Sequence, residues 1–356
     1  MRRRLGLGVL GLLVLLAGGY TAWWYVLSRR VADGFAGWVA ARSAEGWTVS
    51  ADAPRLAGWP LSAGIELSAV RIAGGAPELP VAVEWQAAGL GLRVAPFHPT
   101  VLALIPRGEQ RIGGPGGPVL AVTGRLRGQV PLDRAEPPWP LDVTGETIRV
   151  SPALGGGAAL IGQLAAHSEL DPAASAAASA LAVTVDAGGI DLPPGRSWPL
   201  GERIEAVAAE AAISGPVPQA GAPAARAEAW RAAGGAAALR QGTLRWGPLD
   251  ASAKARASLD AALQPVAEGT ARITGWPQAL DVLAAHHVIP DHAALAAKAV
   301  VSLLAETPPG GGPSVLTAPF SVRDGVLSAR QIPLARLPGL DWSGAPRSAA
   351  SEGAPR

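Results

Sequence analysis

The chain has 356 residues, 49% of them apolar and only 16% charged, so it can pack a core and is too poor in charge to be disordered throughout. Its 30 cationic and 28 acidic residues are interspersed, the dense basic cluster is confined to Arg2-Arg3-Arg4, and no basic stripe of the kind that binds nucleic acid is present. Zero cysteines exclude disulfides, thiolate zinc sites and a cysteine nucleophile.

Leu5 to Leu27 contains no charged residue. That length is close to the roughly 20 residues that cross a ~30 Å hydrocarbon core as a helix. Arg2–Arg4 precede it, Arg29 and Arg30 follow, and Trp23-Trp24-Tyr25 stands at the far end, where aromatic rings favour the headgroup level. These features predict a cytoplasmic basic tip and transmembrane anchor over residues 1–28, placed in the inner membrane with the body in the periplasm. The competing reading is a cleaved signal peptide cut after Ala17 and Gly19, which gives a secreted body. Cleavable apolar regions run to roughly 7–15 residues, so the longer stretch here favours the anchor. Gly6, Gly8 and Gly11 have dinucleotide-loop spacing, but no strand precedes them, and they read as small residues of a membrane helix. Val31, Phe35, Trp38 and Val39 then recur at helical spacing and predict a juxtamembrane amphipathic helix over 29–46, continuing or restarting the first. Gly34 and Gly37 weaken it and Gly46 ends it.

After Trp47 the apolar period changes to two. Ile65-Glu66-Leu67-Ser68, Val81 to Gln86, Leu90 to Val94, Val119 to Val122, Gly124 to Arg127, Leu141 to Thr144 and Thr147 to Val150 all alternate. Gly74-Gly75, Pro96, Pro106, Gly113-Gly114-Pro115-Gly116-Gly117 and Pro137-Pro138 separate them. Short alternating runs punctuated in this way indicate antiparallel strands, and no room is left for the crossover helices of a parallel sheet. Between Ser151 and Gly235 alanine blurs the period. Leu181 to Val185 and Ile204 to Ile213 still read as strands, and Ala224 to Ala233 as a short helix around Trp230. Alternation returns in Thr243 to Trp246, Leu249 to Leu259 and Thr270 to Ile273. Asp281 to His287 and His292 to Leu304 carry helical spacing on either side of Pro290, although Val300 to Leu304 also suits a strand. Phe320 to Leu327 is a hairpin, with Asp324-Gly325 as a tight primed turn. Beyond Gly339 the small, polar sequence predicts a disordered tail.

The Gly58-Trp59-Pro60 corner, Glu84-Trp85, the Pro96/Pro99 turn, Trp246-Gly247, Gly269, Asp324-Gly325 and Pro333-Leu334 give the chain a further character. With these it resembles the domain-of-unknown-function 2125 family of alphaproteobacterial envelope proteins, from the anchor to about Pro338. It is also distantly similar to the AsmA-like group of anchored, β-rich envelope proteins, which implies an elongated curved sheet that handles lipid. The family has no assigned activity, so the resemblance implies no catalytic residue. The expected fold is α+β and mostly antiparallel β. An N-terminal transmembrane helix leads to an elongated, strongly curved antiparallel sheet with a C-terminal helix pair and hairpin. Residues 47–338 form the periplasmic β-rich domain, with a subdivision near 165–180 left open, a helix pair over 278–305, and a tail over 339–356. The similar openings Gly58-Trp59-Pro60 and Gly275-Trp276-Pro277 are compatible with two like halves but too short to establish them.

Four of the 12 tryptophans stand before proline, at Trp59-Pro60, Trp139-Pro140, Trp198-Pro199 and Trp276-Pro277. Proline sets the preceding residue to extended geometry and ends pairing, so these steps read as sheet corners with the indole buried against a neighbour. Trp85 and Trp246 join them as structural positions, and a ligand-facing aromatic row is the competing reading. His286, His287 and His292, with Asp281 and Asp291 nearby, are the one group with metal-ligand chemistry. Pro290 interrupts the helical face that ligation from adjacent turns requires, so polar caps between two helices are favoured over a metal site. No nucleophile elbow, Ser-x-x-Lys or phosphate-binding loop occurs, and neither an enzyme nor a cofactor is expected. Three functions follow in order of support: an anchored periplasmic protein that binds or shields a lipid or other apolar ligand on its sheet, an interaction scaffold for another envelope protein, and a metal-dependent hydrolase resting on the histidines. The apolar ligand is motivated by strands such as Leu102-Ala103-Leu104-Ile105, which carry apolar or small residues on both faces.

Overall fold

The computed structural model describes residues 2–44, 46–74, 83–113, 119–132, 140–152, 157–171, 174, 178–195, 197–216, 218, 222–306, 312–329, 332–340 and 342, without the side chains of 2–9, 291, 293, 296, 300, 303, 304 and 334. Gly75, Val81, Ala82, Gly114 to Gly117, Pro137 to Trp139 and the tail from Ser343 lie outside the described residues.

Helix α1 (Arg2–Ala44) is a single element, so the juxtamembrane segment continues the first helix without a break. From Leu10 to Gly19 it is bare, with Leu10, Leu12, Leu13, Val14, Leu15 and Leu16 all exposed. The helix is long and apolar enough to cross a membrane, and only 6% of its apolar window is buried, unlike the core helix of a soluble protein. It therefore fits a membrane anchor or a signal sequence. Leu27, Val31, Ala32 and Phe35 turn to the protein and pack on the sheet. That seat outweighs the cost of roughly 1 kcal/mol that each of Gly34 and Gly37 imposes on a helix interior. Gly46, at φ 84, stops the helix as its sequence position predicts.

The remaining elements, in chain order, are β1 (Trp47–Ser50), β2 (Arg55–Leu56), β3 (Ala63–Gly74), β4 (Val83–Val94), β5 (Val101–Gly113), β6 (Leu120–Pro131), β7 (Leu141–Pro152), β8 (Ala159–Leu170), β9 (Ser179–Asp191) and β10 (Arg203–Ser214). Helix α2 (Pro223–Ala232), β11 (Ala236–Trp246), β12 (Leu249–Leu259), β13 (Pro265–Thr274), α3 (Trp276–Ala285) and α4 (Asp291–Leu304) follow. The last strands are β14 (Ala305–Glu306), β15 (Val315–Arg323), β16 (Val326–Ala329) and β17 (Ile332–Arg336).

From β3 to β13 each strand pairs antiparallel with the next, and the ladder passes on through β15, β16 and β17. β1 and β2 both pair with β3, and β14 pairs with β15. The result is one open, unclosed antiparallel sheet with helices at its C-terminal part. At the hairpin, Asp324 and Gly325 have φ of 51° and 70°, the double positive that a primed two-residue turn needs. Val300 to Leu304, open to either reading from sequence, is the end of α4.

Two buried clusters are adjacent and lie at the α1 end of the sheet. Ile65, Leu67, Val70, Leu90 and Leu92 form one, and Leu27, Ala63 and Val94 the other. Opposite this core, on the other face, Arg93 reaches Glu66 at 2.7 Å and Arg107 reaches the same carboxylate at 3.0 Å. Gly91 makes the room, since a Cβ there would stand 3.4 Å from the Glu66 Oε2. At the far end the chain is held past Gly339, where the sequence predicts a loose tail. The Leu340 amide donates to Gln264 at 2.8 Å and the Trp342 indole N–H to the Leu263 carbonyl at 2.8 Å.

Candidate functional site

Strand register decides what each face of the sheet carries, because directly paired residues point the same way. Starting from buried Ile65 and Leu67, the pairing assigns Leu92, Leu90 and Trp85 to their face, then Leu104, then Gly128 and Val130. Val143, Ile148 and Val150 continue it, followed by Ile161, Leu164 and Ala166, and by Val183, Val185 and Ala187. Val207, Leu244, Ala253, Ala271 and Phe320 carry it onward to Ala329. No residue assigned to this face by pairing from β3 to β16 is Asp, Glu, Lys or Arg. Its polar members are Gln110, which is buried, and Ser168, which faces Leu141.

The charged residues sit on the opposite face. Arg71–Glu84 at 2.8 Å, Arg125–Glu146 at 2.7 Å and Arg203–Asp191 at 2.9 Å bridge neighbouring strands there. These exposed pairs contribute between about 0 and 1 kcal/mol each, so they describe a solvated surface and do not hold the sheet together. The expectation of apolar or small residues on both faces holds in β5, where buried Ala103 lies opposite Leu102 and Leu104, and in β9 and β10, where alanines such as Ala182, Ala208 and Ala212 stand on the second face, whereas elsewhere that face is largely charged or polar.

Irregular backbone keeps the apolar set on one side. Ala69 and Thr147 stand at φ 50° and 52°, and each absorbs one residue of its strand. Leu67 and Val70 thereby share a face at a spacing of three, as do Gly145 and Ile148, where strict alternation would separate them.

Coverage of this face is uneven. Helix α1 closes it over β3 and β4, where Leu67 is fully buried. Further along, Leu126, Val143, Leu164, Val185, Val207 and Leu244 are only half-buried, and the described residues place no second layer over them. A hollow of about 610 Å³ over β6 to β10 is lined by Arg125, Arg127, Glu146, Gln163 and Asp186 of the charged face beside the row Leu126, Gly145, Leu164, Ala187 and Val207, so it does not mark the apolar face. A second, of about 740 Å³, is lined in the same way by Arg240, Lys254, Arg256 and Glu268 of the charged face beside Leu239, Ala255, Gly269 and Phe320.

The sequence-predicted positions divide. Trp85 lies on the apolar face and packs against the Ile65 cluster. Trp246 donates its indole N–H to the Gly201 carbonyl at 2.8 Å and tilts against Trp198, with ring centroids 6.5 Å apart, which makes a packed corner. Trp59 departs from its expected role: its ring is 58% exposed, and the Trp59-Pro60 corner is held by α1 instead. There the Tyr20 hydroxyl donates to the Pro60 carbonyl, and the Trp24 indole to the Ser62 carbonyl at 2.7 Å. Trp276 is buried as expected but opens α3, with Pro277 in the first turn, where its missing N–H costs nothing. His286 and His287 follow α3 and His292 begins α4, all three exposed. Among the described residues no group of three or more His, Asp or Glu side chains is placed to hold a metal ion. At α2 the Arg231 hydrogen bond lowers the Glu228 carboxyl below its ordinary range, a surface pairing with no chemistry beside it.

No curated protein and no solved structure matches the chain. A family model described as an uncharacterized protein conserved in bacteria (DUF2125) matches residues 24–338, from the turn where α1 meets the sheet to just beyond β17. The match covers most of the chain, which therefore belongs to that family.

Proposed function

We propose that this chain is a membrane-anchored periplasmic protein that shields the acyl chains of a lipid, or a comparably apolar ligand, along the uncharged face of its sheet. One observation carries the reading: an apolar face continuous from β3 to β16 is covered by α1 over β3 and β4, stays buried at Val122 and Ile148, and is only half-buried from β8 to β12. Leaving so much apolar surface in water is unfavourable by about 25 cal/mol per Å², so contiguous patches of this kind mark binding surfaces. Aliphatic chains suit it better than a compact polar ligand, because the face offers rows of Leu, Val, Ile and Ala and almost no hydrogen-bonding side chain. No step of catalysis is required, and no residue is assigned one.

The test is extraction. Full-length protein purified from its native membrane in mild detergent is delipidated, and the extract is analysed by mass spectrometry against a single-helix membrane protein handled identically. A stoichiometric, reproducible lipid class supports the proposal. An extract no different from the control counts against it and favours the scaffold reading, in which another envelope protein covers the face.

A further inference from the structure

We infer that two loops at the foot of the sheet, residues 57–62 and 95–100, are seated in the bilayer boundary beside α1, so that the sheet stands directly on the membrane. The inference rests on α1 crossing the bilayer and is independent of what the apolar face binds. Three hydrogen bonds fix the loops to one turn of α1: Tyr20 to the Pro60 carbonyl, Trp23 to the Pro96 carbonyl at 2.9 Å, and Trp24 to the Ser62 carbonyl at 2.7 Å. The Tyr20 ring also stacks on Phe97, with centroids 5.8 Å apart.

Helix length then sets the depth. From Leu5 to Gly19 the uncharged start of α1 rises about 22 Å at about 1.5 Å per residue. A hydrocarbon core of ~30 Å needs roughly 20 residues, which reaches Trp24. The turn that completes the span is therefore the turn to which both loops are bonded. If the helix crosses, the loops must lie at the boundary with it.

Their composition fits that depth. Leu61 is 88% exposed, Phe97 75% and Trp59 58%, values that are costly in water and ordinary at a lipid boundary. Val101 and Leu132, both 40% exposed, extend the rim. Residues 56–62 and 94–101 contain no Asp, Glu, Lys or Arg. Above the rim, α1 runs beside β3: Leu27 meets Ala63 at the strand's start, and β1, which follows the helix, pairs with the strand's end at Gly74. Twenty-five helical residues from Tyr20 to Ala44 rise about 36 Å, close to the ~40 Å of a 12-residue strand, so strand and helix leave the membrane together.

Because the natural chain has no cysteine, single-cysteine variants report one site each. Full-length Leu15→Cys, Leu61→Cys, Phe97→Cys and Ser258→Cys proteins, labelled with an environment-sensitive fluorophore, are reconstituted into phosphatidylcholine–phosphatidylglycerol vesicles with brominated acyl chains. Leu61 and Phe97 are exposed in the fold, so their replacement should leave it intact. The inference predicts blue-shifted emission and bromolipid quenching at positions 15, 61 and 97, with water-like, unquenched emission at 258. Quenching at 15 with water-like emission at 61 and 97 overturns it while leaving the anchor in place. Water-like emission at 15 as well overturns both.

Discussion

Replacing Leu164 by glutamate puts a carboxylate in the middle of the apolar face. Leu164 is half-buried and lies between Gly145 and Ala187 on the neighbouring strands, so the longer side chain has room. Full burial of a leucine contributes about 1.5–3 kcal/mol, and a half-buried one roughly half of that, so the fold should lose only about 1 kcal/mol. A bound acyl chain changes the magnitude, because covering a carboxylate without a partner costs several kcal/mol. A flexible chain can shift aside and recover part of this. A residual penalty of about 1.4–3 kcal/mol lowers lipid occupancy roughly 10- to 100-fold. The assay is lipid-to-protein ratio by mass spectrometry beside a thermal melt, with Ser258→Glu on the opposite face as the control for added charge. Loss of lipid from the first variant alone, with both proteins still folded, is the expected result. Wild-type lipid load in the Leu164→Glu protein would falsify the placement of the ligand on this face.

Ile65→Ala should destabilise the protein by about 2–5 kcal/mol, while Val183→Ala on the half-covered part of the same face should cost under about 1.5 kcal/mol. Equal losses in chemical denaturation would show that the core is not concentrated under α1. Glu66→Gln leaves the largely buried Arg93 guanidinium without its counter-charge, and should cost about 2 kcal/mol, below the full ~3–5 kcal/mol of a fully buried pair because Glu66 is partly exposed. A neutral result in the same melt would mean that the Arg93 bonds to the Ile65 and Leu92 carbonyls suffice. Gly275→Ala should be among the most damaging single changes at about 2 kcal/mol or more, since Gly275 has φ 69° and a Cβ would lie 1.7 Å from the Pro248 carbonyl oxygen. Normal yield and melting temperature for that variant would contradict the backbone placement.

Local chemistry made much of this architecture readable in advance. Period-two runs broken by Gly and Pro became the meander, and Asp324-Gly325 became the turn whose two positive φ values those residues permit. Pro290 separated α3 from α4 as its missing N–H and fixed φ dictate. The one-sidedness of the sheet was not readable. Strict alternation through Leu67-Ser68-Ala69-Val70 sends Leu67 and Val70 to opposite faces, and only the bulge at Ala69 brings them together. A spacing of three inside a strand, repeated at Gly145 and Ile148, was the available signal. In β9 and β10, alanines stand on both faces and hide the period. Trp59 was misjudged for a different reason: a tryptophan is usually buried in a soluble protein, but this one stands beside the uncovered part of α1.

The most direct measurement is site-specific photocrosslinking in native membranes, with a benzophenone side chain at Val185 or Leu244 on the apolar face and at Asp186 or Thr270 on the other. Lipid adducts from the first pair and none from the second are the predicted outcome. Adducts to protein alone from Val185 and Leu244, or equal lipid labelling from both faces, would contradict the lipid-shielding account.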